Sequence, residues 1–342
     1  MIIRIDYPVV RQAIVHAVIE VTDSDFKHYW SELFENDPLQ NPLYSPNRYE
    51  QVSPAQAEIS FTDRSFVVVA EHQPVFACSL TVHTDYCGRK CFGYFGLEAS
   101  THINRQSMQG ASNNFKPEAV ELLQHHINRL IDENQPNLLE YLDPVSCGVM
   151  SPVTQVLLEK GAKPIVQTAK IIDLTLSEHA LKRKLCKSQR CKITWGQRNL
   201  VIRVASGEHF SESDAWSLSR LFDAAMATGD SPYSSRESYE QLIRQNKAFL
   251  LQGYYANEAA ASALFVHTAR TCHFVYGFSD FSERPIMSAL IWSALQHSKK
   301  LGCELFEMGR PARTSASKSD RSKFLNSFGG DSHTRLKVCL AD

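Results

Sequence analysis

The sequence lacks the long apolar runs of a membrane-spanning helix. No stretch approaches the roughly 20 consecutive apolar residues that are needed to cross a bilayer. The opening residues, MIIRIDYPVVRQAIVHAVIEV, carry Arg4, Asp6 and Arg11 where a secretory signal peptide has an uninterrupted apolar segment. We therefore expect neither a membrane span nor export, and we predict a cytoplasmic protein.

An excess of charge of one sign is also missing. The 342 residues include 36 Lys and Arg against 37 Asp and Glu, which gives a formal net charge of -1. A protein that binds nucleic acid in general presents a positive surface over much of its area. General nucleic-acid binding is therefore not expected, while the oligomeric state is left open by the composition.

Motifs of the common metal, nucleotide and nucleophile sites are absent. The nine cysteines are scattered and form no C-x-x-C pairs at zinc-site spacing, so we predict reduced thiols and no metal site. The sequence has no P-loop, no G-x-G-x-x-G and no G-x-S-x-G elbow. Roles that depend on ATP, a dinucleotide or a serine nucleophile therefore have no support from motifs.

The two halves of the sequence show the same coarse order of elements. In the first half, the strand-like runs SFVVVAEH, PVFACSLTVHTDY and KCFGYFG precede the helical run KPEAVELLQHHINRLIDEN. In the second half, KAFLLQGYYAN, AAASALFVHTAR and TCHFVYGFS precede PIMSALIWSALQHSKKLG. We predict an α+β protein of two related domains, residues 1–164 and 165–342, each a mixed, mostly antiparallel sheet flanked by helices.

A strand that ends in glycine and leads into a helix is one scaffold for acyl transfer from a thioester to an amine. Gly277 ends such a strand, where a missing side chain lets a ligand approach the backbone, although a simple strand-end glycine is the alternative. Ser279, Ser282 and Arg284 follow at the helix entrance, where their polar groups can add to backbone donors for a phosphate. Plain helix capping is the alternative for these three residues.

Two further residues are candidates for proton transfer. Tyr276 lies beside Gly277 and can protonate a leaving thiolate, although an aromatic residue in a buried strand commonly belongs to the core. Glu307, in the strand CELFEMG, is the best-placed carboxylate for a general base, with a plain strand-end charge as the alternative.

Positive charge concentrates in LSEHALKRKLCKSQRCKITWGQRN, which predicts one long helix capped by Ser177. No acidic residue lies between Lys182 and Arg198. This run is either a solvated helix face or a surface that binds an anionic substrate group, in which Arg190 takes part.

The run from Val275 through Gly330 resembles the C-terminal half of the FemAB-like transferases, in YGFSDF, SALIWSALQHSKKLG, FEMG and FLNSFGG. Three other segments also resemble that family. LCKSQRCKI is similar to its basic helix, GDSPYSSRESYEQL is similar to a later segment, and NPLYSPNRY is similar to its early aromatic segment. The resemblance implies tandem GNAT-like (acyl-CoA N-acyltransferase) domains, with the groove chiefly in the second. It also implies a set of substrate-binding residues: Arg190, Tyr233, Lys323 and Phe324.

One position departs from the family pattern. The family commonly has Lys as the second residue of F-K-x-x-F-G, and this sequence has Leu325 there, with Lys323 two positions before it. If this segment were a strand, the side chains of Lys323 and Phe324 would face opposite sides, and Lys323 is not assumed to replace the missing amine. A loop would relax that objection.

Three hypotheses of function follow. The first is an N-acyltransferase with acyl-CoA as co-substrate, no permanently bound cofactor, and an amine of a small-molecule or saccharide or cell-envelope precursor as acceptor. The second is an aminoacyl-tRNA-dependent transferase that acts on a peptidoglycan-type precursor. The third is a non-catalytic GNAT-fold protein that binds a ligand without turnover, for which Leu325 is the main support.

Overall fold

The computed structural model of the protein describes residues 16–37, 40, 61–84, 88–93, 99–103, 117–143, 150–227, 236–281, 283–308 and 323–341. The predicted helix in SPNRYEQVSP lies outside these residues, as do Tyr233 and Ser282. No helix in the described ranges is both long and apolar enough to cross a bilayer.

The first half contains a set of strands interrupted by helices. Its elements are β1 (His16–Glu20), α1 (Phe26–Asn36), β2 (Phe61–Asp63), β3 (Phe66–Ala70), β4 (Gln73–Ser79), β5 (Thr81–Thr84), β6 (Lys90–Gly93), β7 (Ala99–Ile103), α2 (Pro117–Asn134), β8 (Leu138–Asp143) and α3 (Pro152–Glu159).

The second half follows without a break in the described chain. Its elements are β9 (Lys163–Asp173), α4 (Glu178–Lys184), α5 (Lys187–Asn199), β10 (Leu200–Ala205), α6 (Glu212–Ala227), α7 (Arg236–Arg244), β11 (Ala248–Tyr255), β12 (Glu258–His267), β13 (Thr271–Ser279), α8 (Ile286–Lys300), β14 (Leu305–Glu307) and β15 (Asp331–Ala341).

Both halves repeat one topological unit. In the first, β1, β3, β4 and β7 pair antiparallel in that order, and α2 then leads to β8, which is parallel to β7. In the second, β10, β11, β12 and β13 do the same, and α8 leads to β14, which is parallel to β13. The predicted pair of related α+β units with mostly antiparallel strands is confirmed.

The strands of both halves join in one continuous sheet. Its main path runs β1-β3-β4-β7-β8-β15-β9-β14-β13-β12-β11-β10. β15 therefore lies between β8 of the first half and β9 of the second, antiparallel to both. The predicted boundary between residues 164 and 165 falls inside β9, and the position of that boundary stays a prediction.

The sheet of the second half is covered on both faces. On one face α4, α5 and α8 pack on a buried cluster that includes Phe249, Phe265 and Phe306. On the other face α6 and α7 pack on a cluster that includes Leu218, Tyr239 and Leu264. We call these the α8 face and the α6/α7 face. Because each face buries its own apolar side chains, residues of β13 are presented alternately to two different environments.

The single long basic helix predicted around residues 178–199 is wrong, because the structure has two helices there. Ser177 does cap the first, since its hydroxyl accepts the N–H of Ala180 at 3.2 Å. Leu185 and Cys186 then adopt extended backbone, and Leu185 is buried. The N–H of Cys186 donates to the carbonyl of Ser327 at 3.2 Å. The break between the two helices is thus tied to a hydrogen bond with a distant segment of the chain. Local periodicity in the sequence does not reveal such a contact.

α5 and α8 cross at a close contact. A Cβ atom added to Gly196 of α5 would overlap the Cβ of Ala289 in α8. Glycine costs about 1 kcal/mol relative to alanine in a helix interior, and here it permits the two helices to approach. The crossing places Trp195 of α5 near the first turn of α8.

His126 of α2 is a buried histidine in the core of the first half. Its ring packs edge-on against Phe66, with centroids 4.4 Å apart, and Nδ1 lies 3.1 Å from Nη2 of Arg129. Burial, followed by the positive charge of Arg129, lowers the pKa of His126 from 6.5 to about 4. The unfolded chain therefore takes up this proton at a higher pH than the folded protein does.

We expect His126→Gln to flatten the acid limb of the stability curve. In the wild type, the contribution of the neutral ring is complete above pH 6.5 and is lost as the pH falls from 6.5 towards 4, by at most about 3 kcal/mol. The measurement is the urea midpoint at pH 7.5 and at pH 5. His125→Gln, at the exposed neighbouring position, is the matched control and should keep the wild-type slope. Equal slopes for both variants would contradict the assignment.

Candidate active site

β13 and β14 separate after a short parallel pairing. Thr271 pairs with Leu305, Cys272 with Phe306, and His273 with Glu307. β14 ends there, whereas β13 continues to Ser279. Within the described residues, the backbone of β13 at positions 274–279 has no strand beside it on this side. We call this opening the fork.

β13 carries a bulge next to the fork. Tyr276 pairs with Leu264 and Phe274 with Phe265 of β12, so that Val275 has no residue opposite it. In the first half, the corresponding pairing of β4 with β7 shows no register shift. Because bulges re-aim side chains and are enriched beside active sites, the bulge marks the fork as a candidate site.

The bulge also decides which side chains share a face. Tyr276 lies opposite Leu264, whose side chain belongs to the α6/α7 face, and His273 lies opposite Val266 on that same face. Glu307 is the direct neighbour of His273 in β14. The structure therefore brings both predicted catalytic residues, Tyr276 and Glu307, to one face, and it adds His273.

Gly277 and Ser279 lie on the opposite, α8 face. A Cβ atom on Gly277 would overlap the terminal methyl group of Met287 in α8, so this flexible side chain would have to move if the residue were not glycine. The hydroxyl of Ser279 accepts the N–H of Phe281 at 3.3 Å and shapes the turn into the helix. Both residues have a structural function at the helix entrance, and their predicted contacts with a donor stay predictions.

Arg284 is held on a group of aromatic rings at the beginning of α8. Its guanidinium carbon lies 4.6 Å from the ring centroid of Tyr255 and 6.0 Å from that of Trp195. The two rings stack at 5.8 Å, and Phe281 lies edge-on to Tyr255 at 6.2 Å. We call these four residues the Arg284 cluster. In the described part of the chain no carboxylate forms an ion pair with Arg284, so the exposed edge of the guanidinium is available to an anion.

Glu307 forms a buried ion pair on the α6/α7 face. Its Oε2 accepts a hydrogen bond from Nη2 of Arg335 at 2.6 Å, and Nδ1 of His273 lies 3.5 Å from the same oxygen. Burial alone would raise the pKa of Glu307, but the Arg335 guanidinium and the His273 ring outweigh it and hold the pKa well below its usual range. A carboxylate that stays ionised so firmly is a weak base, and the geometry favours an ion-pair function over the predicted general base.

Several buried polar atoms at the fork lack hydrogen-bond partners among the described residues. They are Oε1 of Glu307, both ring nitrogens of His273 and Oγ1 of Thr271. His273 is 2% exposed. Sequence reasoning missed this histidine, although a histidine within the mostly apolar strand TCHFVYGFS was a usable signal.

A cleft opens on the α6/α7 face beside the end of β13. It is lined by residues of α6, β12 and β13. Arg220 and Asp280 form an ion pair at its edge, with Nη2 2.8 Å from Oδ1. The cleft therefore offers both a carboxylate and a guanidinium close to the fork.

The remaining predicted residues meet at the junction of α4 and α5. Nη1 of Arg190 donates to the carbonyl of Leu185 at 2.7 Å. Residues 323–327 form a helical turn in which the Ser327 hydroxyl donates to the carbonyl of Phe324 at 2.6 Å. The strict alternation of a strand therefore does not apply to Lys323 and Phe324.

Leu325 belongs to the buried cluster on the α8 face and is 6% exposed. A lysine at this position would have to bury its amine among apolar side chains or rearrange the turn. The departure from the family pattern is therefore accommodated by core packing.

Comparison with known proteins relates this architecture to acyltransferase structures. No protein-family profile matches the sequence, and no curated protein sequence is detectably similar to it. The structure of FemX superposes with a TM-score of 0.67 at 10% identity, over 94% of this chain and 96% of that chain. A tandem GNAT protein from the clavulanic acid biosynthesis pathway superposes with a TM-score of 0.51 at 12% identity, over 95% and 98%.

A third neighbour is the C-terminal domain of a putative lysylphosphatidylglycerol synthetase from Agrobacterium fabrum. It superposes with a TM-score of 0.50 at 15% identity, over 76% of this chain and 80% of that chain. Identities of this size establish a shared fold. The chain has the tandem GNAT-like fold, and the predicted resemblance to the FemAB-like transferases is confirmed at the level of the fold.

Proposed function

We propose that the protein is an N-acyltransferase that moves an acyl group from acyl-CoA to an amine of a small-molecule or saccharide or cell-envelope precursor. The observation that carries this proposal is the fork, where a bulged strand presents unpaired backbone between a helix tip and a polar face. Transfer from a thioester to an amine needs no protein nucleophile. It needs orientation of the two substrates and stabilisation of the charge that develops on the carbonyl oxygen.

The donor is assigned to the α8 face. Backbone N–H groups of β13 beyond His273 can bind the thioester carbonyl, because no strand occupies that edge within the described residues. The first turn of α8 and the guanidinium of Arg284 favour the phosphates of the donor. Gly277 lies between these two contacts and leaves room there for the Met287 side chain of α8.

The acceptor is assigned to the α6/α7 face. The cleft beside α6 lies on the same face of the sheet as Tyr276. The carboxylate of Asp280 at its edge favours an ammonium group. The Tyr276 hydroxyl is the proposed acid for the leaving thiolate. The two substrates would then meet across β13, each coming from its own side of the sheet.

A specific observation supports aminoacyl transfer as the second candidate. The exposed residues Lys184, Lys187, Arg190 and Lys192 lie along α4 and α5 without an acidic residue between them. Such a surface favours a polyanion, and aminoacyl-tRNA is a donor of that kind. The buried Leu325 supports the third candidate, a binding protein without turnover.

A thermal-shift series separates these candidates. We expect CoA and acetyl-CoA to raise the melting temperature, because a ligand at 100 times its dissociation constant stabilises the native state by about 2.7 kcal/mol. Pantetheine, which lacks the phosphates, should give a smaller shift. A shift with tRNA and none with CoA would favour the second candidate, and CoA binding without any acylated amine by mass spectrometry would favour the third.

A further inference from the structure

We propose that His273 is the base that takes a proton from the acceptor amine, and that Glu307 and Arg335 are positioning residues that hold its ring. This inference deepens the proposed function and rests on it. It replaces Glu307, the base that the sequence predicts, by a residue that touches the fork beside it.

The position of His273 is the first support. The pair His273 and Glu307 is the last one before β13 and β14 diverge. A ligand that enters between the diverging strands meets these side chains before any others of the paired segment. The bulge at Val275 then turns Tyr276 to the same face, so a base and an acid flank one place on the strand.

The unpartnered atoms are the second support. Nε2 of His273 and Oε1 of Glu307 are buried without a hydrogen-bond partner in the described structure. Leaving a buried polar group unsatisfied costs about 1–3 kcal/mol, and such groups are rare in folded proteins unless a ligand or a function accounts for them. An amine carries N–H donors that suit both a neutral imidazole nitrogen and a carboxylate oxygen.

The charges around the ring are the third support. Arg335 neutralises Glu307 through the 2.6 Å hydrogen bond, so the carboxylate is fixed in position and is a poor proton acceptor. Nδ1 of His273 faces Oε2 of Glu307 at 3.5 Å. This orientation favours a proton on Nδ1 and leaves the lone pair of Nε2 for the substrate.

The proton balance of the transfer is complete without another reactant. Nε2 of His273 removes one proton from the acceptor ammonium, and the neutral nitrogen attacks the thioester carbon. The C–N bond forms, the C–S bond breaks, and the CoA thiolate leaves. The second proton of the nitrogen neutralises the thiolate through Tyr276, which returns to its phenol form, and the imidazolium releases the first proton to solvent.

A spectroscopic test needs no turnover. In protein labelled with ¹⁵N-histidine, two-bond correlation spectra report the tautomer of each ring, and the signals of His273 are assigned by their loss in His273→Gln. In the neutral ring we expect the proton on Nδ1. Glu307→Gln should abolish this preference. A proton on Nε2 in the wild type would overturn the inference. An unchanged tautomer in folded Glu307→Gln would overturn the positioning function of Glu307.

A kinetic test uses acetyl-CoA with glucosamine as a probe amine and follows CoA release and the acetylated product by mass spectrometry. We expect His273→Gln to lower kcat at least about 100-fold while the thermal shift with CoA is kept. In His273→Ala, added imidazole should restore part of the rate. His267→Gln, on the neighbouring strand β12, is the matched control and should keep the wild-type rate.

The outcomes separate the two levels of the proposal. A wild type that binds no CoA overturns the proposed function. If the wild type acetylates the amine and folded His273→Gln does so at the same rate, only the assignment of His273 is overturned. If Glu307→Gln unfolds the protein, the tautomer measured in the wild type still decides the assignment of His273.

Discussion

Glu307→Gln and Arg335→Met should each lower the free energy of unfolding by about 3–5 kcal/mol. Glu307 is 2% exposed and Arg335 8%, and their 2.6 Å hydrogen bond joins β14 to β15 across β9. Removing one partner leaves the other as an uncompensated buried charge, which costs more than the pair contributes. The measurement is urea unfolding at pH 7.5, where the wild-type carboxylate is ionised.

The double variant Glu307→Leu with Arg335→Met tests the cause. Because it removes both charges, it should be markedly more stable than either single variant. The exposed helix pair Arg244 and Glu240 supplies the control, since its side chains are 52% and 27% exposed. Arg244→Met should cost less than about 1 kcal/mol. If Glu307→Gln and Arg335→Met each lower the free energy of unfolding by no more than this control, the buried pair does not contribute significantly to stability.

Arg284→Ala should weaken binding of CoA by about 10-fold to 100-fold, measured by isothermal titration calorimetry. A hydrogen bond between charged groups contributes about 1.5–3 kcal/mol, and each 1.4 kcal/mol is a factor of ten in affinity. The cluster holds the guanidinium by stacking on Tyr255 at 4.6 Å. Arg284→Lys should therefore fail to restore full affinity, because an ammonium lacks the planar, stacked geometry.

Arg244 again offers the matched comparison. It is also an exposed arginine over an aromatic ring, 5.0 Å from the centroid of Phe210, but it lies on α7, away from the fork. Arg244→Ala should leave the affinity for CoA unchanged. Equal affinities of Arg284→Ala and the wild type would remove the Arg284 cluster from the donor site.

The local elements of the second half follow from the sequence. The runs that become β11, β12 and β13 are apolar segments separated by turns, and α8 shows an apolar face with Pro285 at its start and Gly302 after its end. These signals depend on neighbouring residues, so they are readable without tertiary contacts. The order of strand, glycine and helix likewise locates Gly277 and Ser279 at the end of β13 and Arg284 just before α8.

Features that depend on distant contacts were not predictable in this way. The break between α4 and α5 is tied to Ser327, whose carbonyl accepts the N–H of Cys186 at 3.2 Å. The surroundings of Glu307 depend on Arg335, which comes from β15, and the identity of that partner is fixed only when the sheet is complete. Tertiary context therefore changed the assignment of the base.

Among the described residues of the first half, the pairing of β4 with β7 has no bulge like the one at the fork. These two strands pair in continuous register, whereas β13 loses register with β12 at Val275. A one-residue insertion of this kind has no signature in hydrophobic periodicity, because the residues around it remain apolar. The bulge that distinguishes the second unit was therefore visible only in the pairing of β12 with β13.

β15 has a consequence for the order in which the molecule assembles during synthesis. Until residues 331–341 have left the ribosome, β8 and β9 each have one edge whose backbone groups lack their partner, because both edges pair with β15 in the folded protein. Contacts between segments so far apart in the chain form slowly. A nascent chain is thus exposed to wrong edge pairing, such as β8 against β9 or against another copy, for as long as this strand is missing.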